Sequence, residues 1–133
     1  MMISSIFVSC PRAFAETVFE FVLDRRMRGF LREELSSSVS EKAQSHRYIL
    51  IDLSELDDTI KHLRQLERRL RALRLSLRAM KKRWPRIELS VVITATVGDS
   101  GHFTRRLRIS ETLLEELSRC GTELDIQACP CSD

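Results

Sequence analysis

Between residues 63 and 84 the apolar side chains Leu63, Leu66, Leu70, Leu73, Leu77, Met80 and Trp84 step by three and four in strict alternation. That is the spacing of a single helical stripe about three heptads long. It commits this part of the chain to one long helix with an apolar seam along its length. Ser54 stands where it can cap the start, with Asp57 three residues on in the capping-box position, and Pro85 stops the helix at about Trp84. A seam this regular must be covered. A chain of 133 residues has room for one core, so the expected cover is a sheet of the same chain. The alternative is a second copy, in a homodimer through Leu63, Leu66, Leu70, Leu73 and Leu77.

The polar residues of the same helix are as unusual as its leucines. Residues 59–86 hold eleven basic side chains against one acidic, Glu67, a net charge of +10. Residues 1–58 carry −3 and residues 87–133 carry −4, so the total of +3 conceals a strongly dipolar arrangement. On a helical wheel Arg64, Arg68, Arg71, Arg78 and Lys82 fall along one line opposite the seam, with Leu75 in its middle. The row spans roughly 27 Å at about 1.5 Å per residue. A solvated face is the plain explanation of such a run. Against it, a helix built only for solubility mixes signs, because like charges three and four residues apart weaken it. Here Glu67 alone is expected to relieve them, so an acidic partner would remove a standing repulsion. Arginine outnumbers lysine eighteen to four in the chain, and guanidinium suits both carboxylate and phosphate. Arg64, Arg68, Arg71, Leu75, Arg78 and Lys82 are therefore the candidate partner-binding residues.

The rest of the chain reads as one α+β domain over residues 1–133. Residues 3–9 are a β-branched and aromatic strand, and Pro11 suits the first turn of a helix in which Phe14, Val18, Phe21 and Val22 recur at helical spacing. Gly29 ends or bends that helix, and Phe30 to Leu35 add a further turn or two. The polar, serine-rich stretch 36–46 is a flexible loop. Residues 47–53 are a nearly continuous apolar strand. Residues 87–97 alternate, with Leu89, Val91, Ile93, Ala95 and Val97 inward, and return through a turn at 98–101 into a hairpin partner at 102–109, where Phe103, Leu107 and Ile109 point inward. Ser110 caps a short helix over 111–120 that Gly121 closes. Residues 122–128 form a last strand with Leu124 and Ile126 inward, and 129–133 are a frayed tail. The order is β-α-β-α-β-β-α-β: a mixed, mainly antiparallel sheet with helices packed on it.

The chemistry-bearing residues form no recognisable constellation. The four glycines cannot build a phosphate cradle. Cys129-Pro-Cys131, Cys120 and His102 are zinc-ligand types, but their spacing matches no structural zinc site. Cys10, Cys120, Cys129 and Cys131 are too irregular for a disulfide framework and read as free thiols of a cytoplasmic protein. His46, His62 and His102 are scattered, with His62 expected at a partly exposed helical position. Asp57 and Asp58 are explained by the helix start that they occupy, and Asp125 by its outward strand position. No apolar run is long enough to cross a membrane, and the start lacks the basic region of a signal peptide. Catalytic, metal and cofactor sites are therefore not expected, and neither is a membrane contact.

The closing unit ISETLLEELSRCGTELDIQA, residues 109–128, is a short capped helix, Gly121, and a strand carrying Leu124-Asp125-Ile126. With the leucine-rich helix and the alternating strand LSVVITATV, it resembles, over residues 56–128, a bacterial domain family of unknown function. Members of that family have been proposed as immunity proteins of polymorphic toxin systems. The resemblance implies an α+β fold and a binding role, with a toxin as the kind of protein partner. The expectation is a non-enzymatic binding protein that occludes an acidic protein surface with its basic helix. Nucleic acid, bound by the same arginine row on its phosphates, is the alternative.

Overall fold

The computed structural model describes residues 1–32, 46–98 and 106–130. Strand β1 spans Met2–Pro11 and leads through a single 3-10 turn, Arg12–Phe14, into helix α1, Ala15–Asp24. Strands β2, Gly29–Arg32, and β3, His46–Ser54, follow. Helix α2 spans Thr59–Arg83, β4 spans Glu88–Val97, α3 spans Glu111–Cys120 and β5 spans Glu123–Pro130.

The sheet has the order β2-β3-β1-β4-β5. β1 lies in the centre, antiparallel to β3 on one side and to β4 on the other, and β2 pairs antiparallel with β3. β5 joins the far edge parallel to β4. The first four strands with α1 and α2 make a β-α-β-β-α-β split unit, and α3 with β5 extends it by one parallel crossover. The expected class, a mixed and mainly antiparallel sheet with helices packed on it, is present.

Alternation along the strands decides where the core sits. Met2, Ile6, Val8 and Cys10 of β1, Ile49 and Ile51 of β3, and Leu89, Val91, Ile93 and Ala95 of β4 share one face and are buried. Against them lie Val18 and Val22 of α1, Leu63, Leu66, Leu70, Leu77 and Met80 of α2, and Leu113 and Leu117 of α3, in one continuous cluster. The leucine seam is thus taken up by the chain's own sheet, and a homodimer through Leu63, Leu66, Leu70, Leu73 and Leu77 has no free seam to use. Leu73 and Trp84 are only partly buried. Trp84 meets Phe21 of α1 edge to face, with ring centroids 5.5 Å apart, and so ties the end of α2 to α1.

Several local expectations are corrected. Residues 29–32 form a strand, not further helix, because Phe30 and Leu31 pair with Leu50 and Ile49 on the open edge of β3. Residues 106–109 are not a strand. Both edges of β4 are already occupied, by β1 and β5, which leaves no edge for a hairpin partner. Phe103 and the rest of 99–105 lie outside the described residues, as do 33–45 and 131–133. Cys129 and Pro130 are the end of β5, paired with Thr96 and Val97, rather than frayed. Ile126 is 51% exposed, since β5 is an edge strand with little helix over it. α2 is capped by Asp58, whose carboxylate accepts from the Lys61 N–H at 2.9 Å, and not by Ser54. Ser110 caps α3, accepting from Leu113 N–H at 3.2 Å, and Gly121 ends it with φ of 69°, a left-handed geometry that glycine adopts without strain.

Candidate functional site

Because α2 gives its seam to the sheet, its opposite face is turned outward. Arg64, Arg68, Arg71, Leu75, Arg78 and Lys82 are all exposed there. Leu75 is 80% exposed, the most exposed large apolar side chain among the described residues. The structure therefore brings all six candidate residues onto one surface, along one helix whose rigidity is fixed by the buried face behind it.

The charge balance of that surface differs from expectation in one place. Glu67 is not the only acid that relieves the helix. Glu116 of α3, only 2% exposed, receives the Arg74 guanidinium through Nε at 3.1 Å and through Nη2, and Arg71 Nε at 3.4 Å. Arg119 approaches the same carboxylate at 3.8 Å. Burial works to raise the Glu116 pKa, but the hydrogen bonds and charges of Arg74 and Arg71 outweigh it and hold the carboxyl below its ordinary range. Arg71 also reaches Glu67 at 3.5 Å, and Thr112 Oγ1 donates to Glu67 at 2.5 Å. Arg71 thus belongs partly to the seam between α2 and α3. The sequence signal for Glu116 was its position three residues after Leu113 and four before Cys120, on the buried side of α3.

Arg64, Arg68, Arg78 and Lys82 keep no ion-pair partner among the described residues. At the far end of the row Arg78 and Lys82 face Arg119, which also approaches Glu115 at 3.8 Å, across a shallow hollow of about 440 Å³ closed by Ser118 and Gly121, with no acidic side chain among its described lining residues. Arg119 is a contributor that the sequence did not single out. This face can accept carboxylates or phosphates, and it offers an apolar side chain in their midst.

The other candidates have structural occupations. His62 is fully buried rather than partly exposed. Its Nδ1 lies 2.8 Å from the Leu56 carbonyl oxygen, which can only accept, so Nδ1 carries the proton and Nε2 accepts from the Ser4 hydroxyl at 2.5 Å. Ser54 Oγ sits 3.1 Å from Nδ1 and donates to Gln65 Oε1 at 2.6 Å. This pins α2 to β1 and β3 where the register slips between Ser4 and Ser5, and Ser4, at 1% exposure, is no accessible nucleophile. It also explains why Ser54 is not the cap. Asp57 pairs with the amino terminus at 3.1 Å, and Asp125 is exposed on β5.

Cys10, Cys120 and Cys129 are free thiols. Burial pushes Cys10 up to about 12 and Cys120 up to about 11, and Cys120 donates to the Leu70 carbonyl at 3.5 Å. Neither is a thiolate near neutral pH. Among the described residues no three His, Cys, Asp or Glu side chains are grouped to hold a metal ion; Cys131 and His102 lie outside them. No helix of the described residues is long and apolar enough to cross a membrane. No protein-family model, curated protein or solved structure matches the chain.

Proposed function

We propose that this chain is a non-enzymatic binding protein of the immunity type, acting in the cytoplasm, which occludes an acidic surface of a protein partner with the outer face of α2. The observation that carries the reading is Leu75, 80% exposed in the middle of an otherwise cationic row. An exposed leucine flanked by Arg68, Arg71 and Arg78 has the make-up of a protein-binding patch, an apolar anchor within a ring of charge that steers the encounter. A surface meant only for a phosphate backbone gains nothing from a leucine there. The resemblance of residues 56–128 to the immunity family is the ground for taking a toxin as the partner. The free thiols support a reducing compartment. The second reading, nucleic acid, is favoured by the hollow between Arg78, Lys82 and Arg119, which would take a phosphate.

Capture of partners by the tagged protein from its native host's lysate, with and without nuclease, separates the two. The occlusion reading expects one stoichiometric protein partner that persists through nuclease treatment and is released by high salt. Ribosomal or nucleoid proteins that vanish with nuclease would replace it with the nucleic-acid reading.

A further inference from the structure

At the opposite end of α2 from the hollow, the helix and the segment 106–113 enclose a cleft of about 720 Å³. This lies within the range of about 300–1,000 Å³ typical of small-molecule sites. Its composition is divided. Leu63 and Leu113, both buried members of the core, form the floor, and Ile60, 65% exposed, forms an apolar lip. Arg64 on α2 and Arg106 and Arg108 on the facing segment supply three guanidinium groups from two separate elements. Among the described lining residues the one acid, Glu67, is already held by the Thr112 hydroxyl and by Arg71, so these residues carry a net positive charge. None of the three has an ion-pair partner among the described residues.

We propose that this cleft binds a small organic carboxylate with a planar apolar body. The carboxylate would be held by Arg106 and Arg108, with Arg64 facing them, and the body would lie on Leu63, Leu113 and Ile60. Arginine without lysine is the suitable lining. A guanidinium forks a carboxylate through two parallel N–H groups, and its flat face stacks on a planar apolar group. Inorganic anions would leave the apolar floor and lip uncovered, and a neutral apolar molecule would leave the cations without a counter-charge. The cleft shares Arg64 with the proposed partner surface, so it is probed at Arg106 and Arg108, whereas the partner row is probed at Arg68 and Arg78.

The test uses 2-naphthoate as probe, with 2-naphthamide as its neutral isostere and acetate as the head alone, each titrated calorimetrically into the full chain. Saturable one-to-one binding of 2-naphthoate is expected, at least tenfold tighter than 2-naphthamide or acetate. Arg106→Ala with Arg108→Ala should weaken it at least tenfold at unchanged melting temperature. Ile60→Asp, at an exposed position, should weaken it with all three arginines in place. The proposal is overturned if 2-naphthoate does not saturate, if the amide binds as tightly, or if both variants bind as the parent does. Partner capture by the double alanine variant should be normal; its loss together with intact naphthoate binding would move these arginines to the partner surface instead.

Discussion

On the inner face of α2, Leu66, Leu70, Leu77 and Met80 have no exposure at all, while on the outer face Leu75 is 80% exposed between Arg71 and Arg78. Both faces come from the same 25 residues. The inner one is read by the sheet and decides whether the domain folds. Arg71 aside, the outer one touches little else among the described residues, so its sequence is free to answer to something outside it. The difference teaches where to look for function in a protein without chemical motifs: in side chains that the fold exposes and leaves without a partner. Arg71 and Arg74 stand between these extremes, because Glu116 draws them toward α3.

Substitutions break or sharpen this contrast in a definite order. Leu66→Ala or Leu70→Ala empties space under α2 and should destabilise the domain by about 3 kcal/mol in urea unfolding. His62→Ala leaves the Ser4 hydroxyl and the Leu56 carbonyl short of a partner, and should lower stability by about 2 kcal/mol in the same measurement. Glu116→Gln removes the charge that gathers Arg74 and Arg71, with a smaller loss of on the order of 1 kcal/mol because both arginines are partly open to water. That loss has a pH signature. The Glu116 carboxyl is held below its ordinary value of 4.5, so its contribution is complete above that value and disappears as pH falls through the folded-state pKa. The melting temperatures of parent and variant should therefore differ at pH 7 and converge on acidification below pH 4.5. Arg68→Glu with Arg78→Glu should change stability by no more than about 0.5 kcal/mol in either direction. A large destabilisation there would mean that the row is part of the fold.

Much of this was legible in the residues. The period of Leu63 to Trp84 gave the long helix and its buried face, and the alternation of 89–97 gave a strand with the right residues inward. Ser110 and Gly121 marked both ends of α3. What failed was whatever depended on contacts distant in sequence. Phe30 and Leu31 carry no local mark that the edge of β3 awaits them. Residues 106–109 alternate like a strand, yet β5 arrives later and takes the edge that they would need. Ser54 looked like a cap because nothing local reveals that His62 and Gln65 use its hydroxyl. In the same way the six outward residues of α2 could be named from the helical wheel, but Arg119 and Glu116 entered only when α3 packed beside them, and Arg106 with Arg108 only when their segment faced Arg64.

The central claim is that the outer face of α2 binds an acidic protein surface through side chains, Arg68 and Arg78 among them, that the fold does not need. It is tested most directly by comparing the parent with the Arg68→Glu, Arg78→Glu protein in side-by-side capture from native lysate, nuclease present, with thermal unfolding of both. The account predicts that the captured partner is lost while the melting temperature holds. Undiminished capture by a fully folded variant would contradict it.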